Sequence, residues 1–142
     1  MLSAFPACFF QEGEGYSVIF PDLGYLATCG DTLDDALTMA VDCLAGYLYT
    51  AKRKKESVPA PSSLGSVDLA AVAKALDLDV EAESFTNLIT VDVAEYAKNH
   101  FEKSVKKTLT IPAWLNDAAE AHSINFSKTL QDALCKQLHY EQ

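Results

Sequence analysis

The chain is poor in the residues that build metal centres and disulfide frameworks. Its four cysteines, Cys8, Cys29, Cys43 and Cys135, lie far apart with no C-x-x-C pair, and His100, His122 and His139 are as scattered. Zinc requires closer ligand spacing, and a disulfide framework is out of place in a cytosolic chain. No metal and no cofactor are expected. No apolar run approaches the ~18 residues of a membrane span. No basic region precedes the apolar Leu2, Ala4 and Phe5, so a secretory leader is not expected and a cytoplasmic location is. Internal repeats are absent. Cations are scarce too, eleven against twenty carboxylates, for a net charge of −9.

What is present is apolar and unevenly charged. Of the 142 residues 49% are hydrophobic, which places the chain among globular proteins. That length holds one medium domain or two small ones, and a single unit of this size buries roughly 70% of its unfolded surface. Residues 1–97 hold five cations against fifteen carboxylates, whereas residues 98–142 hold six lysines against five. The two halves therefore expect different partners, the first a basic one.

The first half reads as strands followed by helix. Ala4 to Phe10 is an apolar run of strand length, and Gln11-Glu12-Gly13-Glu14-Gly15 supplies the turn. Tyr16 to Phe20 alternates as a second strand, and Leu26 to Cys29 forms a third. Thr32, with Asp35 three residues on, predicts a capping box that opens a helix. Its stripe is Leu33, Ala36, Leu37, Ala40, Val41, Leu44 and Leu48. The helix ends in Lys52-Arg53-Lys54-Lys55, cations suited to its negative pole. Val58-Pro59-Ala60-Pro61-Ser62-Ser63 reads as a connector, and a short helix from about Val67 to Leu76 follows, capped by Ser66 or Asp68. Phe85 to Val91 completes a β-β-β-α-β sheet domain over 1–97, and Asp92 to Phe101 is helical. The fold class expected is α+β.

The second half, 98–142, carries the most specific pattern. From Lys106 to Ile111 residues alternate: Lys106, Thr108 and Thr110 face one way, Lys107, Leu109 and Ile111 the other. Pro112 ends the strand and suits the first turn of a helix. Helices are predicted from Ala113 to Ala121 and from about Phe126 to Leu138, the second capped by Asn125 or Ser127. A strand with no partner in its own chain must pair with a second copy. The two antiparallel strands then make a ribbon narrow enough for the major groove of DNA. This is the sequence form of a ribbon-helix-helix module. Lys106, Thr108 and Thr110 are the expected base readers, with Asn125, Ser127 and Lys128 holding a phosphate at a helix N-terminus.

Three motifs carry a family resemblance. Gly15-Tyr16-Ser17-Val18-Ile19-Phe20-Pro21-Asp22-Leu23, then Cys29-Gly30-Asp31-Thr32-Leu33-Asp34-Asp35-Ala36, then Pro59-x-Pro61-Ser62, resemble a HicB antitoxin. The tail from Phe101 to Leu115 resembles those members that end in a ribbon-helix-helix. The resemblance implies a type II toxin–antitoxin system. The first domain would be a degenerate RNase H-like fold that covers a HicA toxin, a small basic RNase, and the ribbon would repress the operon's own promoter. The chain would be a homodimer through the ribbon, or a higher oligomer built from such dimers. Two positions depart from the family pattern. His122-Ser123 stands where the turn between the last helices often has glycine, and Gly24-Tyr25 follows Leu23. Among residues that would touch a basic toxin, Glu12, Glu14 and Asp22 offer charge, and Tyr16 and Tyr25 offer aromatic anchors.

Two other functions compete. Nuclease activity needs several carboxylates converging on metal ions, and Asp22, Asp31 and Asp92 sit near turns and caps instead; the chain is not expected to be an enzyme. The alternative is a ligand-responsive ribbon-helix-helix repressor without a toxin partner.

Overall fold

A computed structural model describes residues 1–80 and 83–139. The chain divides into two compact units, Met1–Lys103 and Ser104–Gln142. The break falls beyond residue 97 because the helix from Val93 packs on the first unit: Ala97 is buried and Phe101 joins its core.

The first unit is built on a four-stranded antiparallel sheet in the order β3-β2-β1-β4. Its strands are β1 (Leu2–Glu12), β2 (Gly15–Phe20), β3 (Leu26–Gly30) and β4 (Phe85–Asp92). The unbroken apolar run Phe5–Phe10 is explained by its place between two neighbours, with both faces covered. Phe5, Ala7 and Phe9 turn toward the long helix α1 (Leu33–Lys54), together with Tyr16, Val18 and Phe20. Cys8 and Phe10 turn to the opposite face, where Val72 and Ala73 of the short helix α2 (Leu69–Ala75) cover them. Burial there pushes the Cys8 thiol up to about 11, so it is a core side chain rather than a nucleophile.

Helix α1 lies close on the sheet because its inward residues are small: Ala36, Ala40 and Ala45 are buried with Leu44. Leu33, expected in that stripe, is 40% exposed at the first helical position. The approach begins at Gly30, where a Cβ would meet the Ala36 backbone nitrogen at 2.2 Å. No other residue fits there. The capping box forms with a variation. Thr32 Oγ1 accepts from Asp35 N at 3.1 Å, while Asp35 Oδ2 accepts from Asp31 N, one residue before the cap. At the far end Lys55 adopts φ 57°, and Glu56 N donates to Ala51 O while Lys55 N donates to Lys52 O. That is a Schellman closure with lysine in the glycine position.

Helix α3 (Val93–His100) is capped by Asp92, whose Oδ1 accepts from Glu95 N. It packs against α1 through Tyr96 and Phe101. Tyr96 Oη donates to Asp42 Oδ1 at 2.9 Å; burial first, then the Asp42 carboxylate, push the phenol up to about 12. Helix α2 is capped by Asp68, which accepts from Ala71 N, while Ser66 Oγ donates to Ser63 O. The connector before it is tied down by Asp22, in the turn after β2. Its two oxygens accept from Ser62 N and Ser62 Oγ, both at 2.7 Å.

The second unit contains α4 (Ala113–Ala121) and α5 (Phe126–Gln137). No helix among the described residues is long and apolar enough to cross a membrane.

Two outcomes test these contacts. Asp22→Ala removes both bonds to Ser62, and should cost about 1 kcal/mol in denaturant unfolding and open the 56–66 segment to protease. For Tyr96 the folded pKa lies above the ordinary tyrosine value of ~10. Its contribution is therefore full below that pH and lost as pH rises toward about 12. Tyr96→Phe should lower stability at neutral pH and make the decline over that alkaline window shallower, which pH-dependent denaturant melts would read.

Candidate interaction surfaces

Helices α4 and α5 end and begin where their local chemistry dictates, yet they enclose nothing. Pro112 precedes α4 with φ −57°. After α4, Ser123 takes φ 53°, with Ser123 N donating to Glu120 O and Ile124 N to Ala119 O. The turn is thus the glycine-type closure, made by a serine at some backbone strain. Asn125 is the cap of α5, its Oδ1 accepting from Lys128 N at 3.0 Å. Ser127 lies one residue before Lys128 in the first turn.

No residue of either helix is buried. Trp114 is 71% exposed, Leu134 51% and Leu138 62%. Residues 103–112 form no regular element within the single chain and are exposed throughout. The strand expected from Lys106 to Ile111 does not form within the single chain. The expected alternation is nonetheless visible. Lys107, Leu109 and Ile111 line a groove of about 530 Å³ with Phe126, Leu130 and Ala133 of α5. Lys106, Thr108 and Thr110 do not line it and are exposed.

In the first unit the expected contact residues separate into three situations. Glu12 and Glu14 stand exposed at the β1–β2 turn, on either side of Gly13, which has φ 65°. Tyr16 is not a surface anchor: it is 7% exposed, edge-on to Phe9 and Phe85 in the core. The inward alternation of Tyr16, Val18 and Phe20 carried that signal. Asp22 is engaged by Ser62, while Tyr25 is 45% exposed at φ 60°, at the other end of β2 from Glu12 and Glu14.

The topology gathers charge that sequence spacing does not reveal. Tyr16 pairs with Gly30, and Gln11 N donates to Ser84 Oγ at 3.4 Å. The hairpin carboxylates Glu12 and Glu14 therefore share one end of the sheet with Asp31, Asp34 and Asp35 of the α1 entrance and with Glu83. Lys52, Arg53, Lys54 and Lys55 stand at the other end of α1, about 33 Å away along a 22-residue helix. Among the described residues no group of three His, Cys, Asp or Glu side chains is placed to hold a metal ion.

Replacing Asn125 by alanine should cost the second unit about 1 kcal/mol by removing the α5 cap. Loss of helical circular dichroism on heating is the measurement.

A family model described as the HicB-like antitoxin of bacterial toxin–antitoxin systems matches residues 5–134. Antitoxin HicB 2 of Photorhabdus laumondii is 31% identical over 87 residues, 58% of this chain and 63% of that protein. Antitoxin HicB 1 of the same organism is 36% identical over 78 residues, 52% of this chain and 50% of that one. The chain thus spans half to just under two thirds of the length of these curated relatives. A solved chain from a toxin–antitoxin complex of Streptococcus pneumoniae is 32% identical, covers 96% of this chain and 99% of its own length, and superposes with a TM-score of 0.63.

Proposed function

Because the chain belongs to the HicB-like antitoxin family, we propose that its first unit binds and neutralises a HicA-type mRNA-cleaving toxin while its second represses its own operon. It acts by binding, not by catalysis. The observation that carries the proposal is the second unit's missing core: two helices without a single buried residue and an alternating segment that is exposed throughout.

Such a unit gains its stability from another copy. Burying a Leu, Ile or Phe side chain contributes roughly 1.5–3 kcal/mol, and Leu109, Ile111, Trp114, Phe126 and Leu134 are all available. Pairing residues 106–111 with the same residues of a second chain supplies the missing backbone partners and seals Leu109 and Ile111 over the helices. Lys106, Thr108 and Thr110 then form the outer face of a two-stranded ribbon. Threonine hydroxyls can donate to or accept from base edges, and lysine reaches guanine acceptors or phosphate. Asn125, Ser127 and Lys128 lie at the N-terminus of α5, where backbone N–H groups and the helix dipole favour a DNA phosphate.

Toxin binding falls to the first unit. The carboxylates at the hairpin end, Glu12 and Glu14 with their neighbours from α1, complement a basic protein, and charge of this kind raises the rate of encounter. Tyr25, exposed and in a left-handed conformation, is an anchor at the other end. The relatives named as HicB antitoxins and the fold shared with a toxin–antitoxin complex support this assignment.

The two activities should separate. Thr108→Ala with Thr110→Ala should abolish binding to DNA from directly upstream of the chain's own coding sequence. The same variant should still co-purify with the small basic protein encoded beside it and restore growth. Equal loss of both activities overturns the division of labour. Promoter binding by the wild type with no toxin complex would favour a ligand-responsive repressor.

A further inference from the structure

The first unit carries seven cations and sixteen carboxylates, yet six of the seven cations sit at one end. Lys52 and Arg53 of α1 and Lys98 of α3 line a single groove with Tyr49, Val93, Ala94, Ala97 and Glu102. Lys54 and Lys55 continue the α1 terminus, and Lys103 follows α3. Against these stand Glu56, Glu95 and Glu102, while Asp92 at the start of α3 is paired with the N-terminal ammonium at 2.8 Å, so the end is net positive on a unit that is otherwise strongly negative. Cations at the end of α1 suit its dipole, but that effect asks for nothing from α3. Lys98 comes from a different helix and faces the same groove, with only a 3.6 Å exposed pairing to Glu95.

The groove is a prepared surface. Arg53 lies over the Tyr49 ring at 5.7 Å, and that ring is 5.2 Å from Phe101. Tyr49 Oη donates to Glu102 Oε1 at 3.4 Å. The guanidinium is thus held at the surface on an aromatic stack rather than left to sweep solvent.

We propose that this α1–α3 groove binds the phosphate backbone of DNA flanking the segment read by the ribbon, an inference that rests on the proposed DNA reading by the second unit. Connectivity argues for DNA as the occupant. Phe101 packs at the groove and Lys106 begins the reading segment, and five residues of chain reach at most ~17 Å. A body with a net charge of −9 tethered that closely to a DNA reader would be repelled by the duplex. Concentrating its cations beside the tether gives that body a face that favours phosphates, separate from its acidic end.

The test compares the full-length wild type with two variants, Lys52→Gln/Lys98→Gln and Lys52→Gln/Arg53→Gln/Lys98→Gln. The double variant leaves the Arg53–Tyr49 stack in place in case the triple one misfolds. Two probes serve: duplex DNA from directly upstream of the chain's own coding sequence, and the same duplex trimmed to the segment the ribbon protects. Removing one cation–phosphate interaction makes the dependence of log K on log salt shallower by about 0.9. On the long duplex the double variant should bind more weakly, with a slope shallower by about 2 to 4 for two chains. On the trimmed duplex it should match the wild type. An unchanged slope on the long duplex overturns the groove assignment while leaving the ribbon reading intact. Absence of salt-dependent binding by the wild type to either duplex overturns both. Loss of co-purification with the neighbouring basic protein, at unchanged DNA slope, assigns the groove to that protein and also overturns the proposal.

Discussion

The antiparallel pairing of β1 with β4 joins residues about eighty positions apart, from Leu2 against Asp92 to Phe9 against Phe85. Closing so long a loop costs entropy that the aromatic contacts beneath it offset. Phe9 stacks on Phe85 at 4.9 Å, and Tyr16 meets both rings edge-on. Much else follows from this closure. It fixes where β4 ends, so Asp92 can cap α3 and α3 can lie against the second half of α1. It also sets the hairpin carboxylates and the α1 entrance at one end of the sheet and the lysines at the other. Charge separation in this unit is a product of strand order.

A second tie restrains the connector. Asp22, in the turn after β2, holds Ser62 by both its backbone nitrogen and its hydroxyl. The Pro21-Asp22-Leu23 and Pro59-x-Pro61-Ser62 motifs, forty residues apart, are two halves of one contact. Asp22 reads in the sequence as a spare carboxylate near a possible partner, and the fold gives it a structural task. Tyr16 is a similar case, an aromatic residue beside an acidic turn whose ring is taken up by the core.

The two units treat their apolar surface in opposite ways. The first closes its own core and leaves its charges outward. The second leaves Trp114, Leu134 and Leu138 in water, and no residue of its helices is buried. A helix of nine or twelve residues is marginal alone, so the Asn125 cap and the Ser123 turn supply local support where burial supplies none.

Local elements were legible in the sequence because their causes are local. Alternation exposed β2. The Thr32 cap, the Pro112 start and the helix from Phe126 follow from side chains within a turn of the backbone they serve. The α+β character and the family motifs were legible for the same reason. What only the tertiary structure decided is which distant residues meet. It joined Asp22 to Ser62 and brought Lys98 to face Lys52 and Arg53. It also kept α3 in the first unit, ending that unit at Lys103. Periodicity records which face of an element is apolar, but the partner of that face is set by strand order and close packing, and neither is written within the span of a few residues.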